Sequence, residues 1–142
     1  MKTSLKSALL AALIFATPAA ALAGKDTLSA HHGEVWRIKK IGAPTQGFIQ
    51  IRNTAASGDV LIGWDCPIAD TTTLVDAKGK ALQSLAIPAG QRVTLAADGP
   101  HLILQGTHFP IAMGSVVPCS LTFEQAGELA VYLNSIPAPR GG

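Results

Sequence analysis

Short apolar and β-branched runs dominate the sequence, and turn residues separate them at intervals of roughly 8 to 12 positions. Residues 48–52 alternate apolar and polar side chains, and "TTTLVD" ends at a turn built on Gly79. No stretch combines helical periodicity with capping residues. The run "SLTFEQAGELAVYL" has helical propensity, but Gly127 interrupts it, and its halves suit two strands around a turn at residues 125–127. The pattern therefore predicts an all-β fold, an antiparallel β-sandwich.

The first 23 residues have the three parts of a secretory leader. Lys2 and Lys6 precede an apolar stretch at residues 8–15, and the leader ends in small residues at Ala23. The apolar stretch is shorter than the roughly 20 residues that span a bilayer, and no other run is long and apolar enough. We expect a cleavable signal peptide and a periplasmic protein. Cleavage after Ala30, which would leave His31 as the new amino terminus, is the alternative.

Removing the leader balances the charge of the rest of the chain. Lys2 and Lys6 leave with it, so the 11 basic residues fall to nine, against nine acidic residues. A near-neutral surface argues against nucleic acid or an anionic membrane as a partner. The 119 residues left of 142 suffice for one domain. We expect a polar lead-in at residues 24–34, the sandwich at residues 35–135 and a flexible tail at residues 136–142.

The chain contains two cysteines, Cys66 and Cys119. An even pair in an oxidising compartment favours a disulfide, and their spacing is unlike the short pairs that bind metals or exchange disulfides. A bridge would stabilise the fold by roughly 2 to 4 kcal/mol and would withhold both sulfurs from a metal. Ligation of a metal by the two thiolates is the alternative.

Catalytic motifs are not visible in the sequence. The serines Ser115 and Ser120 and the carboxylates Glu124 and Glu128 have no histidine at a catalytic spacing. Neither a phosphate-binding loop nor a dinucleotide fingerprint occurs. These observations indicate a protein that is not an enzyme.

Four segments, "VWRI", "GFIQIRNTAASGDVLIGWDCPIAD", "IPAGQRVTLAADGPHLILQG" and "GSVVPCSLTFEQAGE", are similar to the PCu(A)C (DUF461-like) family of periplasmic copper chaperones. The resemblance covers residues 35–133 and is strongest over residues 87–128. It implies a cupredoxin-like β-sandwich that binds copper and delivers it to periplasmic copper centres through a receiving protein.

The ligand set departs from this family. The resemblance implies a Cu(I) site of two histidines and two methionines, since thioethers select Cu(I). His101 matches the histidine of the family's His-x-Met pair, but Ile103 stands at the methionine position and Val75 at the other histidine position. No methionine lies within residues 76–100, and Met113, the only methionine after the leader, matches no ligand position.

Four imidazoles remain after the leader, at His31, His32, His101 and His108. Nitrogen donors without thioethers favour Cu(II) or Zn(II) over Cu(I), and the copper-protein resemblance favours Cu(II) of the two. We expect His101, at the mouth of the sandwich, to be joined by His31 and His32 at an exposed copper site. The alternative is a half-buried His101 with one satisfied ring nitrogen, and solvated, inert histidines on the lead-in. His108 is expected only to mark a turn.

Together these features predict a copper-binding protein that hands its metal over and performs no catalytic turnover. Two other functions compete with this prediction. The first is an interaction module that has lost its metal site and uses the same sandwich to hold a partner protein. The second is an enzyme with histidine-bound copper, which would need an open coordination position and a surface for substrate.

Overall fold

The computed structural model describes residues 27–140. The predicted leader and its cleavage after Ala23 lie outside these residues. All regular secondary structure between Thr27 and Arg140 is β-strand. The strands are β1 (Leu28–Trp36), β2 (Thr45–Asn53), β3 (Asp59–Asp65), β4 (Ala69–Val75), β5 (Leu85–Ile87), β6 (Arg92–Leu95), β7 (His101–Thr107), β8 (Val116–Phe123) and β9 (Gly127–Ile136).

The strands form one curled sheet in the order β4-β7-β2-β1-β9-β8-β3-β5, and β6 also pairs with β2. The predicted all-β sandwich is confirmed. One pairing departs from the purely antiparallel arrangement, because the first and last strands, β1 and β9, run parallel. This contact joins the half of the sheet that contains β7 to the half that contains β8.

Alternate residues of each strand face the core, as the period of two in a β-strand requires. In β7, Leu102 and Leu104 are buried on the inner face, so His101 and Ile103 lie on the other face. Burying one such aliphatic side chain contributes about 1.5–3 kcal/mol. The largest fully buried side chains are Phe123, Leu28, Ile51, Leu61, Leu74, Ile87, Leu95, Leu102, Leu104, Ile111, Leu121 and Leu133.

The first strand occupies most of the segment that was expected to be a polar lead-in. β1 begins at Leu28, which is 2 % exposed and pairs with Asn53 of β2. The register shifts between His31 and Glu34, and His32 adopts a left-handed backbone with φ of 53°. A β-bulge of this kind breaks the alternation of apolar and polar residues, so the sequence pattern does not reveal the strand.

Gly33 shows why a glycine follows the two histidines of β1. A Cβ atom at this position would overlap the carbonyl oxygen of Tyr132 in β9. The lack of a side chain therefore lets β1 approach β9 closely enough for the parallel pairing from Glu34 to Trp36.

The predicted disulfide is present between Cys66 and Cys119. It links the residue after β3 to β8, and both cysteines are buried. Bridging two positions 53 residues apart restricts the unfolded chain, which stabilises the fold by an amount on the order of 2–4 kcal/mol. Neither sulfur is free to bind a metal.

A hairpin joins β8 to β9 at the predicted turn, and a buried carboxylate fixes it. Asp59 accepts hydrogen bonds from the backbone amides of Gln125 and Ala126 at 2.8 and 2.9 Å, and from Val60 at 2.7 Å. Gly127 supplies the left-handed backbone, with φ of 77°, that ends the turn. The predicted pair of strands, and not a helix, is therefore confirmed.

Candidate metal site around His101

His101 opens β7 and lies between the two neighbouring strands of the sheet. It pairs with Val75 of β4, and its ring centroid lies 6.2 Å from that of Phe48 in β2. The residue is 5 % exposed. His101 is therefore enclosed by apolar side chains, whereas the sequence predicted an imidazole at an open mouth of the sandwich.

One hydrogen bond fixes the protonation pattern of the His101 ring. Nδ1 lies 2.9 Å from the carbonyl oxygen of Gly99. Because a carbonyl only accepts, Nδ1 carries the proton of the neutral ring and Nε2 carries the lone pair. Nε2 makes no hydrogen bond to any residue between Thr27 and Arg140. Metal-binding histidines commonly donate a hydrogen bond from the ring nitrogen that does not bind the metal. This bond sets the tautomer and the orientation of the imidazole.

The family's ligand positions lie next to His101. Val75 is its direct partner across the β4–β7 ladder, and Ile103 follows two residues later, opposite Thr73. Direct partners and alternate residues share a face of the sheet, so Val75, His101 and Ile103 lie side by side. Valine and isoleucine carry no donor atom. Of these three positions, only His101 supplies a metal ligand.

The histidines of β1 lie on the other side of β2. His31 pairs with Gln50 and Glu34 with Phe48, so β2 separates them from β7. Two strand spacings place the backbones of β1 and β7 about 10 Å apart. His31 is held locally, with Nε2 2.8 Å from the Ser29 hydroxyl.

Across residues 27–140, no three histidine, cysteine, aspartate or glutamate side chains are grouped so that they could hold a metal. His31, His32 and His101 therefore do not converge in this arrangement, because one strand of the sheet lies between them. The structure also weakens cleavage after Ala30 as a route to a histidine amino terminus. That cut would remove Leu28 from the core and three pairs from the β1–β2 ladder.

A cavity of about 340 Å³ lies beside the bulge of β1. His32 and Glu34 line it together with aromatic and aliphatic groups of β1, β2 and β6. Phe48 also lines this cavity, and it contacts His101 with its ring, while Trp36 packs edge-on against Phe48 at 5.3 Å between centroids. Phe48 is therefore in contact with both His101 and the cavity that contains His32.

His108 has a partner that the sequence did not predict. Its Nε2 lies 2.6 Å from Oδ1 of Asp70, and this is an ion pair when the imidazole is protonated. A Cβ at Gly106 would overlap the Asp70 carboxylate, so this glycine makes room for the contact. The pair lies at the far end of β7 from His101 and adds no ligand to it.

Some features of the site could not be read from the sequence. The Gly99 bond depends on the turn before β7, for which "DGP" was the only signal. The contact with Phe48 depends on the β2–β7 register, which a single sequence does not specify. The left-handed backbone of His32 gave no signal, because non-glycine residues adopt it uncommonly and residue type alone does not mark the position.

The curled all-β sheet has the fold of solved PCuAC domains. The copper-bound PCuAC domain from PmoF2 is similar, with 23 % identity, a TM-score of 0.70 and coverage of 80 % of this chain and 94 % of that chain. The apo-DR1885 solution structure from Deinococcus radiodurans has 21 % identity, a TM-score of 0.60 and coverage of 100 % and 97 %. CuI-DR1885 has 24 % identity, a TM-score of 0.61 and coverage of 83 % and 85 %.

The LpqE-like family model matches residues 28–134. The chain therefore belongs to the LpqE-like family of PCuAC (DUF461) proteins, which confirms the resemblance. The comparison with curated proteins finds no match. Residues 27–140 contain no helix with the length and apolar character that crossing a bilayer requires.

Proposed function

We propose that the protein binds copper in the periplasm through His101 and hands it to a receiving protein without catalytic turnover. The Nδ1 hydrogen bond to Gly99 carries this proposal, because it leaves Nε2 as an oriented lone-pair donor. The fold supports it, since one similar solved structure is a copper-bound PCuAC domain.

His32 and His31 are the proposed additional ligands. A metal joins two imidazoles through bonds of about 2 Å each, so their nitrogens must come within about 4 Å of one another. Phe48 contacts both His101 and the cavity lined by His32. Rotation of the Phe48 ring, with a shift of the bulge at His32, would bring the two imidazoles toward a common ion. Strand bulges are suited to re-aiming a side chain in this way.

The donor set favours Cu(II) over Cu(I). Nitrogen ligands suit Cu(II), and Cu(I) prefers thioether or thiolate sulfur. The two cysteine sulfurs are bridged, and Met113 lies in the loop after β7, at the opposite end from His101. CuI-DR1885 is similar to this chain in fold, but this chain has Val75 and Ile103 at two positions where the family resemblance implies ligands.

A site with few protein ligands suits transfer of the ion. A receiving protein can replace water and then the imidazoles one at a time, so the ion need not be released into solution. The predicted secretory leader supports a periplasmic location for this exchange. The receiving protein would be a periplasmic copper protein that supplies more or softer ligands.

The decisive test is a Cu(II) titration of the secreted protein, followed by electron paramagnetic resonance. We expect one equivalent of copper with nitrogen hyperfine structure in the parent protein, and its loss in His101→Gln. Glutamine retains a donor for the Gly99 carbonyl but has no imidazole, so the turn before β7 is preserved. His108→Gln is the matched control, because its imidazole lies at the other end of β7.

Two results would contradict the copper proposal. One is a parent protein with no stoichiometric nitrogen-ligated signal. The other is a signal that His101→Gln leaves intact. The double variant His31→Gln/His32→Gln then tests the additional ligands, and we expect a weaker site with fewer nitrogen couplings.

A second function is an interaction module without a metal. The observation that favours it is the apolar pair Val75 and Ile103 beside His101, which leaves a single ligand at the position of the family site. Under this function His101 is a core residue, and His101→Gln lowers thermal stability without changing the response to copper.

A further inference from the structure

Two loops meet at the end of the sheet where β7 finishes. Ile38 of the β1–β2 loop and Ile111 of the β7–β8 loop pair through backbone hydrogen bonds of 3.1 and 3.0 Å. The amide of Gly42 donates to the Thr107 carbonyl at 2.8 Å. These bonds hold both loops against the end of β7, so their side chains form one surface.

Large apolar side chains project from this surface. Ile41 is 60 % exposed, Phe109 is 64 % exposed and Met113 is 80 % exposed. Together they make up half of the large exposed apolar residues in the described part of the chain. A cluster of exposed apolar groups on one surface commonly marks a binding region.

The same loops carry three cations in a run of four residues, "RIKK". No carboxylate among residues 27–140 lies within ion-pair distance of Arg37, Lys39 or Lys40. Nε of Arg37 is buried and has no hydrogen-bond partner in the same range. Arg37 lines an apolar cleft of about 410 Å³ together with Lys39 and Met113. We call the following residues the basic tip: Arg37, Lys39, Lys40, Ile41, Phe109 and Met113.

The position of the basic tip separates it from the candidate copper site. His101 and Thr107 are the two ends of β7, and six residue steps of roughly 3.3 Å place them about 20 Å apart. Ligand exchange at His101 requires a partner in contact with that end of the sheet. The basic tip is therefore suited to attachment while the His101 end stays accessible.

We propose that the basic tip docks the protein on an anionic phospholipid surface. A bilayer accepts both features of the tip together, since apolar side chains enter the acyl boundary while cations contact lipid phosphates. The exposed ammonium groups of Lys39 and Lys40 suit phosphate oxygens, which are charge-assisted acceptors. Balanced net charge had argued against such a surface, but net charge averages over the chain and does not register a local cluster.

The test uses the secreted protein and sedimentation with vesicles of equimolar phosphatidylglycerol and phosphatidylcholine, with pure phosphatidylcholine vesicles for comparison. We expect binding to the mixed vesicles that falls with added salt. Each cation near an anionic surface contributes roughly fivefold in affinity, so Arg37→Gln/Lys39→Gln/Lys40→Gln should weaken binding on the order of 100-fold. Phe109→Ser/Met113→Ser should weaken it while preserving the salt dependence.

Matched controls keep this result specific to the basic tip. Lys78→Gln/Lys80→Gln removes two exposed lysines from the turn after β4, at the other end of the sheet, and should leave binding unchanged. Thermal unfolding checks that each variant is folded, and Lys39→Gln/Lys40→Gln alters only exposed residues if the triple variant is unstable. The depth to which the basic tip enters the bilayer is tested with Phe109→Trp. The fluorescence of the added indole should be quenched by lipids with brominated acyl chains.

Three outcomes would overturn the membrane proposal. The first is equal binding to mixed and pure phosphatidylcholine vesicles. The second is an equal loss in the basic-tip and Lys78/Lys80 variants, which would indicate a response to total charge only. The third is tighter binding to soluble polyglutamate than to mixed vesicles, which would make the basic tip a site for acidic protein segments. The proposal does not depend on copper, so its outcome leaves the copper titration unaffected.

Discussion

The two ends of β7 present opposite environments to the solvent. At the first residue, His101 is enclosed by Val75 and Phe48 and has one hydrogen bond to a backbone carbonyl. Beyond the last residue, the basic tip exposes apolar side chains and cations that have no carboxylate partner among the described residues. At the His101 end, Nε2 is the one ring nitrogen free to bind a metal. The basic tip instead exposes a broad surface of apolar and cationic side chains. The two proposals thus concern different ends of one strand, with copper binding at His101 and attachment at the basic tip.

The largest expected effect of a single change lies at the His101 end, where packing is tight. Phe48→Ala should lower the free energy of unfolding by about 3–5 kcal/mol, because Phe48 is buried against Trp36 and His101. Urea unfolding measures this loss. The same change opens the space between His101 and His32, so Cu(II) binding should be retained or strengthened. Loss of copper binding in a folded Phe48→Ala variant would contradict the proposed approach of the two imidazoles.

The difference between the two ends of β7 can be tested further by adding metal ligands beside His101. Val75→His/Ile103→Met places an imidazole and a thioether on the face of the sheet that His101 occupies. We expect Cu(I) affinity to rise by about 10- to 100-fold or more, because even residues that only orient a metal ligand change metal affinity by that factor. Competition with a Cu(I) chelator measures the gain. The apo variant should be less stable by about 1–3 kcal/mol, because histidine replaces a buried valine.

A matched control for this variant lies on the same ladder. Thr71→His/Gln105→Met adds the same residue types at two positions that pair with each other and lie farther from His101. We expect no comparable rise in Cu(I) affinity there. Equal gains in the two double variants would show that His101 contributes nothing to the added site.

The smallest expected effect on stability lies at the basic tip. Phe109→Ser/Met113→Ser removes two exposed side chains, so the free energy of unfolding should change by only about 0.5 kcal/mol or less per substitution. Thermal and urea unfolding measure this change. A large loss would show that the apolar tip belongs to the core of the fold, and the contrast between the two ends would fail.

Much of the fold was accessible from the sequence because its signals are local. The turn at residues 125–127 interrupts two runs of strand-forming residues, and the isolated cysteine pair favoured a bridge. The lead-in at residues 24–34 was drawn incorrectly, since β1 starts at Leu28. The bulge at His32 hides its alternation, and its parallel partner β9 lies at the other end of the chain.

The sequence likewise predicted only part of the candidate site. The resemblance identified Val75, His101 and Ile103, and the register places them side by side. The burial of His101 and its bond to Gly99 arise from contacts between strands and from a turn, which residue types alone do not specify. The basic tip was missed because its cations and apolar groups come from two loops separated by some 70 residues of sequence.

The parallel contact between β1 and β9 has a consequence for the order in which the sheet can assemble. A chain that crosses a membrane with its amino terminus first delivers β1 at the start and β9 at the end. The two halves of the sheet are joined through these strands, so the complete sheet cannot assemble until nearly the whole polypeptide has emerged. Such late, long-range closure is slow, so we expect folding of this sheet to be limited by the pairing of its first and last strands.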